Sequence, residues 1–482
     1  MPSIIEEQLN ATGVAQVLVV LKSPPPPSPS ASLGVAAGAR ALTAAASSAP
    51  ALAGMESYFT QSELSQGHAL AMAGLTRPGS LSLAATGSAT PARRVRTPPA
   101  VIHFPNLGVM LGTVNRQGLA GLRVDERVES VNATQQPSLI RPVQVAAAKL
   151  TTKTTWGIEF LKVPKLWQQG LTGKGIRVGH LDTGVDGKHP SLKAAIASFA
   201  EFDSLGFQIK PVPSPHDTDE HGSHTAATIA GRAVNNRAVG VAPKAMLASA
   251  IVIEGGDVVA RILGGMDWAI TQNVRVLSMS LGLRGMMEFF LVVTQIIRAR
   301  NILPVFAVGN EGPGTSRSPG NYMEALSVGA NDNAGRVADF SSSQRFTRAQ
   351  DPRVPDIVAP GVDVVSAKPG GGFQSMSGSS MATPHVAGLA ALLFEAKPSA
   401  SVAEVENAIF SSSTLGSILP ARGNRGIPDA VSAFAALTGT VLGGSTKGTA
   451  VAVAKKSGAR KKVAKKAGKK KRKTAVKKSR KK

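Results

Sequence analysis

The sequence predicts an α/β fold: an open, doubly wound and mostly parallel sheet with helices on both faces, set between a small α+β region and a disordered basic tail. Three observations carry this. From about residue 150 onward, short apolar runs alternate with longer helix-like stretches, the rhythm of buried parallel strands joined by crossover helices. Residues 1–150 lack that rhythm and hold a Pro/Ala/Ser-rich insertion at 24–53. Residues 447–482 hold 18 Lys and Arg and no Asp or Glu.

In order along the chain, residues 17–22 read as a strand and 55–74 as mixed helical. Residues 101–114 form a second strand-like set and 117–123 a short helix, with alternation following at Val124, Val128 and Val131. The next region, 151–437, has strand candidates at 176–181, 246–253, 274–279, 303–308 and 325–328. Its helix candidates are 258–272, 288–300 and 382–395. In such a sheet functional groups gather at the carboxyl ends of strands, where Asp182 and Asn310 fall. The region closes near Gly426-Ile427-Pro428-Asp429-Ala430 and a helix at 431–437. A Gly/Thr/Ser linker and the Lys-rich tail fill 438–482; like charges and the absence of aromatic residues keep that tail from forming a core.

Composition narrows the function classes. The 482 residues include no cysteine, which excludes disulfides, thiolate catalysis and Cys-based zinc sites. The formal charge is +24, but only +6 remains once residues 447–482 are set aside, so attraction for polyanions belongs chiefly to the tail. Glu6 and Glu7 precede an apolar run at 14–21 that stops at a proline cluster, so no secretory signal is visible. No run reaches the roughly 18 apolar residues of a membrane span. The expectation is a soluble cytoplasmic or otherwise intracellular protein.

The most informative stretch is Ser379-Ser380-Met381-Ala382-Thr383-Pro384-His385-Val386-Ala387-Gly388, which sets a hydroxyl at the start of a helix. A serine hydroxyl needs a base to take its proton, and the imidazole needs an anion behind it. Asp182 in Asp182-Thr183-Gly184 and His221 in His221-Gly222-Ser223-His224 supply these, in the chain order Asp, His, Ser. With Gly240-Val241-Ala242-Pro243, Ser278-Met279-Ser280-Leu281-Gly282, Gly309-Asn310-Glu311-Gly312, Val358-Ala359-Pro360-Gly361 and Gly378-Ser379-Ser380, residues 151–436 resemble a subtilisin-like serine peptidase, a subtilase.

The resemblance implies a serine endopeptidase that works through an acyl-enzyme. Ser380 attacks, His221 carries the proton, Asp182 orients the imidazole, and Asn310 with the Ser380 N–H binds the oxyanion. Polypeptide substrates are expected to add as a strand on Ser280, Leu281 and Gly282, with Ala307, Val308 and Gly309 around the residue before the scissile bond. Residues 1–150 are similar to a propeptide that inhibits its own enzyme, with self-cleavage near 142–152. Pro384 is expected in the first helical turn. His224 and His385 read as packing residues, and Asp186 as a loop residue.

Other readings compete. Ala227 stands where the family has glycine, and Ser278 where asparagine is common. The loop 232–239, which holds structural calcium in some relatives, has Asn235 and Asn236 but no acid. The chemistry requires no cofactor, and calcium stays an open expectation. Asp217, Asp219, Glu220, His221 and His224 are of metal-ligand type and would suit a metallohydrolase that needs no Ser380. The alternative to a peptidase is an inactive protein of this fold that binds DNA or another polyanion without sequence readout through residues 455–482.

Overall fold

Residues 15–21, Ala-Gln-Val-Leu-Val-Val-Leu, are apolar on both faces of the pleat, and the fold buries both. A computed structural model of the protein describes residues 3–22, 52–60, 100–203, 205–253 and 255–442. Most of the Pro/Ala-rich insertion, residues 61–74 of the expected helical stretch, and the basic tail lie outside the described residues. Strand β1 (Ala15–Leu21) sits in an antiparallel sheet with β2 (Val101–Phe104), β3 (Val109–Val114) and β4 (Val128–Ala133), in the order β2-β3-β1-β4. Val17, Val19 and Leu21 pack with Ile5 and Leu9 of helix Ile4–Thr12 and Leu119 and Leu122 of helix Arg116–Val124. Leu18 and Val20 point the other way, into a core shared with Val259, Leu263, Phe289 and Phe290 of the next region.

That next region is built on a seven-stranded sheet. Its strands are β7 (Arg177–Asp182), β8 (Ile196–Glu201), β9 (Met246–Ile251), β10 (Val276–Met279), β12 (Leu303–Ala307), β14 (Leu326–Asn331) and β17 (Ile357–Pro360). The order is β17-β14-β12-β10-β7-β9-β8, and every adjacent pair is parallel. The strand order reverses around β7, so the crevice at its carboxyl end is the topological switch point. Helices Val258–Thr271 and Leu291–Ala299 share one core with the sheet, while His221–Ala230, Ser379–Ala396, Val402–Ser412 and Ala430–Thr438 share the other. The doubly wound arrangement with helices on both faces is therefore the observed fold.

Smaller pieces frame the crevice. Strand β11 (Leu281–Arg284) lies between β5 (Ser138–Leu139) and β13 (Arg317–Ser318), and β15 (Gln344–Arg345) pairs with β16 (Arg353–Val354). Strand β19 (Phe373–Ser377) pairs with β18 (Val364–Ala367) on one side and β6 (Gln144–Ala148) on the other. Residues 138–148 thus cross the crevice as two short strands. The helix expected at 382–395 begins three residues earlier, at Ser379, so Pro384 lies past its first turn. The missing proline N–H leaves the Ser380 carbonyl free of its helical donor, and the Ser280 hydroxyl lies 3.4 Å from that oxygen. Among the described residues no helix is long and apolar enough to cross a membrane.

Candidate active site

Asp182 is the last residue of β7, and Gly184, two residues on, carries a φ of +118°. A Cβ at Gly184 would stand 2.2 Å from the His216 carbonyl, so only glycine lets the chain turn back against residues 216–217. The turn brings β7 against helix His221–Ala230, whose first residue is the imidazole bearer. His221 Nδ1 lies 2.7 Å from Asp182 Oδ1. The same carboxylate accepts the Thr183 N–H at 2.7 Å and the Thr225 hydroxyl at 3.2 Å. Asp182, His221 and Ser380 are 2%, 1% and 0% exposed, which sets their charges in a low-dielectric site.

The electrostatics divide two neighbouring imidazoles. Burial by itself would lower the His221 pKa, but the Asp182 carboxylate outweighs it, and His221 stands above the ordinary histidine value. Burial would likewise raise Asp182, yet the His221 charge and hydrogen bond hold it below the usual carboxylate range. His180, behind Asp182, is pushed down to about 4 by burial and bonds Ser249 and Thr225 through its two ring nitrogens, 2.9 Å each. Of the two imidazoles, His221 is therefore the one suited to take up a proton.

Ser380 opens helix Ser379–Ala396 as its second residue. Its Oγ donates to the Ile140 carbonyl at 2.6 Å, and His221 Nε2 is buried without a partner among the described residues. Asn310 lies three residues beyond β12, after Gly309 with a φ of +120°. The Asn310 carbonyl oxygen accepts the Ser379 N–H at 2.8 Å, and its amide donates to the Arg141 carbonyl at 2.9 Å. A Cβ on Gly378 would come within 3.0 Å of that amide nitrogen, so the glycine makes room for Asn310.

Ser280, Leu281 and Gly282 meet residues 138–140. Leu139 faces Leu281, Ser138 faces Gly282, and the Ile140 N–H donates to the Ser280 carbonyl at 3.1 Å. Ala307, Val308 and Gly309 run buried along the floor at the end of β12. Ile140 is 1% exposed and Leu139 8%. The bond facing Ser380 is Ile140–Arg141, just before the 142–152 window expected for cleavage.

Several supporting residues show their actual partners only in the structure. Asp217 accepts the Thr183 hydroxyl at 2.7 Å and the Ser223 N–H at 2.5 Å, clamping β7 to the His221 helix; burial pushes its pKa up, and these bonds offset part of the rise. Asp219 accepts the Glu220 and His221 N–H groups at 2.6 and 3.2 Å and pairs with Arg141. In sequence these acids look like metal ligands. Their oxygens are engaged by the helix terminus, Thr183 and Arg141, and among the described residues no cluster of three or more His, Asp or Glu is arranged for an ion. His224 and His385 are buried and bond the Val364 and Met381 carbonyls. Asp186 accepts the Lys188 and Gly370 N–H groups as a loop brace.

The 232–239 loop does not fit calcium. Asn235 and Asn236 have φ of 49° and 60° and turn a hairpin closed by reciprocal Val234–Arg237 backbone bonds, which is why asparagine stands there. The Arg232 guanidinium braces the start of the loop by donating to the carbonyls of Ala194, Ala230 and Ala245 at 2.9 Å each, and the loop itself holds no carboxylate to ligate the ion.

Comparison with known proteins agrees with the geometry. The family model described as "Subtilase family" matches residues 173–458. M-protease of Shouchella clausii (strain KSM-K16) is 36% identical over 299 residues, covering 61% of this chain and 74% of the relative. Subtilisin Savinase of Lederbergia lenta is 38% identical over 267 residues, 54% of this chain and 92% of the relative. Subtilisin E of Bacillus subtilis (strain 168) is 36% identical over 269 residues, 54% and 66% respectively. The chain belongs to the subtilase family and is a serine endopeptidase.

Proposed function

We propose that Ser380, His221 and Asp182 are the triad of this endopeptidase, and that residues 1–140 inhibit it until it cuts itself at Ile140–Arg141. The observation that carries the reading is the seating of residues 138–141 as a substrate-like strand, with Ser380 Oγ on the Ile140 carbonyl. During attack Ser380 Oγ bonds the carbonyl carbon and its proton passes to His221 Nε2, which is buried and open to receive it. Asp182 stabilises the imidazolium, which then protonates the departing amine; water completes hydrolysis of the acyl-serine. In the uncut chain the Asn310 amide rests on the Arg141 oxygen. To bind the oxyanion it must pass to the Ile140 oxygen, and that handover supports a latent ground state. Removing such a donor costs roughly 100- to 1,000-fold in rate, a loss measured on a subtilisin itself.

Mass spectrometry of the full chain and of Ser380→Ala, each incubated alone and then with an unfolded protein, tests this. The expected result is a new terminus at Arg141 and loss of the substrate with wild type only. Wild type that stays whole while Ser380→Ala behaves identically overturns it. The Lys-rich residues 455–482 form a second element of the proposal, a tether for DNA or another polyanion through phosphate contacts. DNA retention that falls steeply with salt in the full chain and is lost in a version ending at Gly444 is expected. Equal retention of the two refutes the tether.

A further inference from the structure

The Asp219 carboxylate is a bound group with one free edge. Its Oδ1 is fixed by the Glu220 and His221 N–H groups, at 2.6 and 3.2 Å, which point the other oxygen away from helix His221–Ala230. That Oδ2 takes Arg141 Nη1 at 3.0 Å. The partner is the residue immediately after the bond that faces Ser380, as fixed by the Ile140 N–H on the Ser280 carbonyl and the Ile140 oxygen on Ser380 Oγ. A peptide bound in the same register puts its own side chain where the Arg141 side chain now lies.

We infer that Asp219 is a specificity-determining residue of the peptidase, selecting substrates with Arg or Lys directly after the scissile bond and disfavouring Asp or Glu there. The inference rests on the proposed triad and register and adds the substrate class. Its size follows from exposure. Asp219 is 26% exposed but the Arg141 side chain is 71% exposed, so the pair is screened by solvent. A preference of about two- to fivefold for Arg over a neutral isostere is the scale of such pairs, shrinking as salt rises. The acid brings like-charge repulsion and widens the gap further. Beside it, Ile140 and Leu139 are buried, so the full pattern is apolar before the cut and basic after it.

The test uses the purified full chain, left to process itself, and internally quenched peptides Pro-Ser-Leu-Ile-Xaa-Pro-Val with Xaa as Arg, Gln or Glu. The expected ranking of kcat/KM is Arg over Gln by about two- to fivefold and Gln over Glu by at least as much, compressed in 0.5 M salt. Asp219→Asn, which keeps the acceptor for the two N–H groups, flattens the ranking to within about twofold, and Asp219→Lys inverts it. Equal cutting of all three peptides by wild type overturns the inference and leaves the peptidase reading standing. A ranking that survives in Asp219→Asn overturns it as well. Failure to cut any peptide, with no self-processing, removes the catalytic reading and this inference with it.

Discussion

Asp267 grips the N-terminal region from the peptidase domain with three hydrogen bonds. It lies on helix Val258–Thr271 and accepts the Asn106 N–H at 2.7 Å, the Leu107 N–H at 3.2 Å and the Asn106 side-chain amide at 3.0 Å. Arg300 closes the cluster by donating to the Asn106 carbonyl at 3.0 Å. Asp267→Ala leaves the Asn106 N–H of the β2–β3 turn facing the helix with no acceptor, while the Leu107 N–H keeps only the Phe104 carbonyl at 3.2 Å. Hydrogen bonds to an ionised group are worth about 1.5–3 kcal/mol each, but burying the carboxylate offsets part of that sum. A net loss of about 2–3 kcal/mol remains, roughly 30- to 150-fold in affinity. Asp267→Asn behaves differently. Its carbonyl keeps the two backbone donors, the Asn106 side chain can turn its oxygen to the new amide, and no charge is buried, so affinity changes by about threefold or less. The assay is inhibition of the self-processed enzyme by residues 1–140 added in trans, with circular dichroism of the inhibitor as a control. Burial holds Asp267 above the usual carboxylate range in the docked form. Docking is therefore tightest below the ordinary carboxylate pKa and weakens as pH rises through the raised value, a dependence that Asp267→Asn removes. Equal inhibition of wild type and Asp267→Ala, within threefold, refutes the reasoning.

Asp182→Asn keeps the shape of the His221 partner but loses the charge that stabilises the imidazolium; kcat/KM should fall about 10⁴-fold, a size known for such triads. The pH profile of kcat/KM should lose activity as pH falls through the His221 pKa, with a midpoint above the ordinary histidine value because Asp182 raises it. Asp219→Asn should move that limb to lower pH, since Asp219 adds to the rise. Arg232→Ala deserts the carbonyls of Ala194, Ala230 and Ala245 and should lower stability by about 1–3 kcal/mol, read from thermal unfolding, with added calcium giving no recovery.

The sheet was legible because buried parallel strands are continuous apolar runs, and 176–181, 246–253 and 303–308 fall within a residue or two of β7, β9 and β12. Strand β8 was not, since Ile196-Ala197-Ser198-Phe199-Ala200-Glu201 sits at the sheet edge and its apolar run is broken by Ser198 and Glu201. Strand β17 is short and its Ala359-Pro360 reads as a loop. The proposed triad was nameable from Asp182, His221 and Ser380 because each lies inside a local motif. Arg141, Asp217 and Asp219 were not, because the Arg141–Asp219 pair spans 78 positions of sequence and the Thr183–Asp217 bond 34, which no local pattern encodes. The position of Pro384 was misjudged because helix ends depend on which carbonyls find other donors, here the Ser380 oxygen and the Ser280 hydroxyl.

The five-residue ladder of Gln144 to Ala148 against Ser377 to Phe373 has a kinetic meaning. A severed peptide normally loses its new amine to diffusion, which makes hydrolysis one-way. Here the amine of Arg141 would stay tethered by covalent continuity with residues 149–156 and by this ladder, at an effective concentration of about millimolar or more. The acyl-serine can then be recaptured by the amine it just released, and the bond reseals. On that proposed cut, lasting separation would wait for β6 to unzip, a step its exposure along 144–147 favours. Under the proposed self-cleavage, the pace of maturation would be set by the peeling of one strand edge rather than by bond breaking.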